Sequence, residues 1–207
     1  MIFKKLFSTS KLSKALAKKD LTLLLKAIRA GEDLNQPLRL TDTDETLAPP
    51  VIHALLRGDD SCLQKLLDAG AQLPETNPEG QLLLSIAITS QNALSLTTCL
   101  LQAGADANAN QGEPLFACLA LADDNLALLL SSRLLQYGAD LNSFTYQGHS
   151  ALGQLLLQER TLLIGALISA GAELPDDLEL LACSDEIKRF ARRKASDIAI
   201  QRQFLAQ

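Results

Sequence analysis

The side chains able to do chemistry are few and scattered. There are two histidines, His53 and His149, four cysteines, Cys62, Cys99, Cys118 and Cys183, and three Asp-Asp pairs, Asp59-Asp60, Asp123-Asp124 and Asp176-Asp177. A histidine-based metal site or general base needs partners at fixed spacing, and neither histidine has them nearby in the chain. No C-x-x-C spacing occurs, so neither a zinc knuckle nor a redox pair is expected, and reduced thiols in a cytoplasmic protein fit the pattern. The acidic pairs could form a carboxylate dyad or a cation site. Each instead stands where a helix should begin, and Asp is a preferred N-cap that the helix dipole also favours. Gly148-His149-Ser150 matches the first three positions of the G-x-S-x-G nucleophile elbow, but position five is Leu152 and the sharp strand-to-helix turn needs Gly there. No catalytic residue, metal, cofactor or small-molecule substrate is expected.

The elements that carry these residues are repeated. One segment recurs five times: LLKAIRAGEDLN, LQKLLDAGAQLP, TTCLLQAGADAN, SSRLLQYGADLN and IGALISAGAELP. Its glycines, Gly31, Gly70, Gly104, Gly138 and Gly171, are 39, 34, 34 and 33 residues apart. Each copy reads as a helix end, because Gly takes the left-handed conformation past a helix C-terminus without steric cost. The Asp or Asn that follows suits a turn, since its short side chain bonds nearby amides. Upstream of each helix end lies a shorter apolar stretch, three of which open with Pro or a small residue at the helix start: Pro50-Val51-Ile52-His53, Pro114-Leu115-Phe116-Ala117 and Ser150-Ala151-Leu152-Gly153. Cys62, Cys99 and Cys118 fall inside apolar stretches and read as small core residues.

In this unit of turn, short helix and longer helix the chain resembles the ankyrin-repeat family, whose repeat of about 33 residues carries a T-P-L-H-x-A signature. The signature is degenerate: Pro50, Leu83, Pro114 and Ala151 stand at its Pro position, and Ile52, Ser85, Phe116 and Gly153 at its His position. The A-G-A-D-x-N half is better preserved. The resemblance implies an all-α solenoid of helix-turn-helix units joined by β-turn loops, as one domain over residues 1–207. Residues 1–35 would form an N-terminal cap repeat, 36–175 four central repeats and 176–207 C-terminal cap helices, read as Asp177 to Cys183 and Asp185 to Leu205. Six extra residues fall in the first inter-repeat loop, within Gln36 to Leu47. The fourth unit combines a short turn, Asn108 to Glu113, with a helix pair about one turn longer.

The resemblance also implies a function, since in the family the turn tips and short helices line a concave face that binds partner proteins. Phe144, Tyr146 and Gln147, with His149 just beyond, occupy variable, outward-facing turn positions, and aromatic side chains are common interface anchors. Thr76, Glu79 and Gln81 take equivalent places in the third unit, two units earlier, and the enlarged acidic loop adds Asp42, Asp44 and Glu45.

Charge points to the kind of partner. Residues 1–30 carry eight Lys/Arg against Asp20, residues 188–203 carry six against Asp197, and residues 31–187 carry five basic against twenty-two acidic residues. An acidic body between basic ends favours a partner with a basic surface. The expected function is a protein-interaction scaffold, in one form an inhibitor or immunity-type protein for a basic partner. The alternative is peripheral attachment to membrane or nucleic acid through the basic caps, although neither is the expected partner. Apolar runs such as Leu162 to Ile168 fall far short of the roughly 18 to 20 residues that span a bilayer, and polar Ser8 to Ser10 stand where a signal peptide would need its apolar core. A soluble, cytoplasmic protein is expected.

Overall fold

A computed structural model describes residues 10–41 and 45–205. The chain divides into two compact units, Met1–Asp106 and Ala107–Gln207. The regular structure of the described residues is helical, as the periodicity requires, apart from one two-stranded hairpin and two isolated bridges.

The first unit holds three helix pairs: α1 (Lys11–Lys18) with α2 (Leu21–Arg29), α3 (Pro50–Leu56) with α4 (Asp60–Asp68), and α5 (Leu83–Ile88) with α6 (Ala93–Gln102). First helices pack on first helices and second on second, closing an apolar interior that includes Leu24, Ile52, Leu55, Leu63, Leu83 and Leu96. The second unit holds α7 (Ala109–Leu119) with α8 (Asp124–Gln136), the hairpin β1 (Thr145–Tyr146) and β2 (His149–Ser150), and α9 (Ala151–Leu157) with α10 (Thr161–Ala170). The last helix, α11 (Asp185–Leu205), packs on α10.

Helix ends follow the sequence signals. Asp20 accepts from Leu23 N at 3.0 Å, Asp59 from Cys62 N at 3.0 Å and Asp123 from Asn125 N at 2.8 Å, each satisfying an amide that the helix itself leaves unpaired. All five repeat glycines lie at positive φ, from 74° at Gly31 to 116° at Gly171. The next amide reaches back five residues, as in Ala71 N to Leu66 O and Ala105 N to Leu100 O, both 3.0 Å. That is the Schellman closure, in which the left-handed residue pairs the last carbonyls.

The Asn ending the repeated motif ties one unit to the next. Asn108 donates to Gly138 O at 2.9 Å and accepts from Asp140 N at 2.8 Å. Asn142 donates to Gly171 O at 3.2 Å and accepts from Glu173 N at 2.9 Å, and Asn35 accepts from Gln72 N at 2.7 Å. In the second copy the position is Pro74, whose side chain has no polar atom to extend the ladder. His53, one place beyond the family's signature histidine, is buried, with Nε2 2.8 Å from Leu38 O. It therefore anchors the enlarged first loop, which the Leu38–Ala48 bridge also closes.

The C-terminal cap differs from expectation. In place of a helix from Asp177 to Cys183 there is a single 3-10 turn, Leu178–Leu180. Leu178 and Leu181, three apart and so on one side of a three-residue turn, are both buried, while Leu180 is 86% exposed. Leu181 is already extended, so the helix cannot continue. Asp177 accordingly stands before this turn with no side-chain capping bond, unlike Asp59 and Asp123. The fourth unit is lengthened as expected: α8 has 13 residues, against 9 in α4 and 10 in α6 and α10.

Candidate functional site

The β1–β2 hairpin pairs Thr145 with Ser150 and Tyr146 with His149. Its two-residue loop, Gln147-Gly148, has φ of 53° and 82°, the doubly left-handed geometry of a type I′ turn, which matches the twist of a two-stranded ribbon. Ser150 then accepts from Gly153 N at 3.1 Å and starts α9. Its hydroxyl is thus a helix cap, the role expected of it in place of a nucleophile.

The hairpin leans on α7. The Tyr146 ring lies 5.7 Å from that of Phe116, tilted by 35°, and 54% of the tyrosine remains exposed. Gln154 Nε2 donates to Tyr146 O at 2.6 Å. Phe144 is half-buried against Gly112, which belongs to a left-handed turn, Asn110-Gln111-Gly112, at the start of α7. Gln147 is exposed and His149 half-buried. Upstream, Asp140 accepts from Ser143 Oγ at 2.5 Å and from the amides of Asn142 and Ser143 at 2.8 and 3.0 Å. The Ser143 bond first, then the two amides, hold its carboxyl below the usual carboxylate range.

In the first unit the equivalent finger is organised by Asn77, which the sequence reading passed over. Buried, it accepts from Glu79 N at 3.1 Å and Gln81 N at 2.8 Å and donates to Gln81 Oε1 at 2.9 Å. Thr76, Glu79 and Gln81 are exposed around it, with Thr76 bridged to Leu82. Glu45 is exposed, while Asp42 and Asp44 lie outside the described residues. The candidate residues therefore form separate groups, Phe144, Tyr146, Gln147 and His149 on one hairpin and Thr76, Glu79 and Gln81 on another finger. Phe116 and Gly112 were not singled out beforehand. A phenylalanine at the signature His position beside a shortened turn was the signal for them.

Reactive chemistry finds little support in the local environments. Burial, with the Asp59 hydrogen bond and charge behind it, pushes the Cys62 thiol up to about 12, and burial alone takes Cys118 to about 12. Cys99 is raised by burial and then by Asp60 and Asp68. Such thiols are protonated and weakly nucleophilic at neutral pH. Among the described residues no three His, Cys, Asp or Glu side chains are grouped to hold a metal ion, and no helix is long and apolar enough to cross a membrane.

Paired antiparallel helices that stack like on like, with Gly-closed second helices and turn fingers between pairs, define the ankyrin-repeat class. The chain has the ankyrin-repeat fold. No family model matches it. Its sequence is 30% identical over 158 residues to the nuclear factor NF-kappa-B p105 subunit of Gallus gallus, a match covering 74% of this chain and 16% of that protein. The chain thus spans a small part of that relative's length. Its fold is similar to the ankyrin repeat domain of Bcl-3, described as a unique member of the IkappaB protein family, with TM-score 0.62 and 21% identity over 88% of this chain and 97% of that one. It is equally similar to an ankyrin repeat domain from Acinetobacter baumannii AYE, with TM-score 0.62 and 20% identity over 91% of this chain and 95% of the other.

Proposed function

We propose that the chain is a protein-interaction scaffold that holds a partner protein with a basic surface through its exposed turn fingers. The observation that carries this reading is Tyr146, a large side chain left 54% exposed at the tip of a hairpin that is itself held in place. An aromatic group on a preorganised element loses little conformational freedom on binding, and this is the usual character of an interface anchor. Gln147 and His149 supply polar contacts beside Tyr146, and Thr76, Glu79, Gln81 and Glu45, with Asp42 and Asp44, supply polar contacts of the first unit. Between residues 31 and 187 the excess of seventeen acidic charges matches a basic partner, in the narrower form an enzyme whose basic surface the scaffold masks as an inhibitor or immunity-type protein. The same reading places the chain in the cytoplasm and gives it no catalytic role of its own.

The test is capture from the native lysate on the immobilised chain. One stoichiometric protein of basic surface should be retained, released by salt, and retained poorly by Tyr146→Ala, with a loss of about tenfold or more if the tyrosine is an anchor. Equal capture by Tyr146→Ala and the parent chain would overturn the assignment.

A second reading has its own observation. Arg189, Arg193, Ile200 and Phe204 of α11 are all exposed and follow one another at helical spacing along one side of the helix. Attachment to anionic lipid through this face would appear as co-sedimentation with phosphatidylserine vesicles that is abolished by Arg193→Glu with Phe204→Ser.

A further inference from the structure

The left-handed turn at the start of α7 and the aromatic hairpin fit one another, and each accounts for an oddity in the other. Asn110, Gln111 and Gly112 sit at φ of 47°, 59° and 78° in succession, closed by Gly112 N donating to Asn108 O at 3.0 Å. Residues with a Cβ hold this conformation only where the surroundings enforce it. The turn is also short, so no finger stands over Phe116, and that is where the Tyr146 ring lies.

Gly112 shows what the space is used for. A Cβ placed on it would fall 2.9 Å from Phe144 Cδ2, 3.2 Å from Cγ and 3.3 Å from Cβ, so the phenylalanine sits directly on the glycine backbone. By contrast Gly31, Gly58, Gly70, Gly80, Gly104, Gly138 and Gly148, also at positive φ, have nothing within 4 Å of such a Cβ, and Gly171 meets only the end of Arg202 at 3.6 Å. Those glycines serve the backbone alone. Gly112 in addition vacates a seat.

We propose that Phe144 is a positioning residue, seated on Gly112, that locks the hairpin to α7 and so presents one face of Tyr146 while the other rests on Phe116. The inference deepens the scaffold reading, on which it rests only for the role of Tyr146 in binding. Phe144 then acts through Tyr146 and is not itself a partner contact.

The locking can be measured with no partner present. The chain has no Trp and two Tyr, so Tyr137→Phe leaves Tyr146 as the sole tyrosine emitter. Acrylamide quenching of that emission should rise about twofold in Gly112→Ala and in Phe144→Ala, the ratio of a fully solvated ring to one 54% exposed. Gly138→Ala carries comparable backbone strain, at φ 86° with open space around it, and should leave the quenching unchanged. In thermal unfolding Gly112→Ala should lower the midpoint more than Gly138→Ala does, and the excess should vanish when both are made in a Phe144→Ala background. Unchanged quenching in both seat variants, or midpoint losses that simply add, would overturn the proposal. If Gly112→Ala does not fold, Phe144→Leu, which keeps bulk but not the ring, reads the quenching by itself. Failure of the scaffold reading shows separately, as absence of a captured partner with the quenching response intact.

Discussion

At the scale of single residues, backbone conformation and burial give the sharpest expectations. Gln147 holds φ 53° in a turn that favours Asn or Gly. Gln147→Asn should therefore raise stability by about 0.5–1 kcal/mol, read as a higher urea midpoint with unchanged slope. Of the four thiols, Cys62, Cys99 and Cys118 are buried and Cys183 is half-buried. Native protein at pH 8 should thus incorporate one equivalent of an alkylating reagent quickly, at Cys183, and the other three only on unfolding. Rapid labelling of Cys62 or Cys118 would contradict the burial described. Most of this scale was legible in advance. The repeat glycines and the Asp caps are dictated by local sterics and hydrogen bonding, which a sequence displays directly.

At the scale of elements, the asparagine ladder is the link between neighbouring units. Asn108 and Asn142 each make two hydrogen bonds to the backbone of the following unit, so Asn108→Ala or Asn142→Ala should cost about 1–3 kcal/mol by denaturant unfolding. A loss no larger than that of a typical surface substitution, about 0.5 kcal/mol, would mean water replaces both bonds. Arg160 adds a second tie, pairing with Asp124 and donating to Leu119 O at 2.5 Å. Here the sequence was only partly legible. The Asn positions marked turns, but their partners lie 29 to 37 residues away, and the substitution of a 3-10 turn for a helix at Leu178–Leu180 followed from what Leu178 and Leu181 could bury.

At the scale of the whole chain, protonation sets the window of stability. Asp68, through Lys65 and then Gln64, and Asp140, through Ser143 and its neighbouring amides, are held below the usual 3.8. The stability they contribute is present above that value and is lost as pH falls through their depressed folded values, because the unfolded chain takes up protons first. At the alkaline end the unfolded thiols ionise from the usual 9.0 while Cys62 and Cys118 stay protonated to about 12, so stability falls as pH rises above 9. The urea midpoint should accordingly be highest between these limits, and Cys118→Ala should flatten the alkaline fall. An alkaline limb that is no shallower in that variant would remove Cys118 from the explanation.

The sequence by itself determined the repeat, the helix pairs within the repeats and the turns between them, because helix ends and turns are written in adjacent residues through Gly, Pro, Asp and Asn. It also separated the acidic body from the basic ends. Only the tertiary structure decided what the turn tips do. Phe144 and Tyr146 stand two places apart on one turn, yet one is seated against Gly112 and the other stays half open beside Phe116. That division depends on packing between residues about thirty positions apart, where the missing side chain of a glycine and the length of a turn leave room for one ring and not for the other.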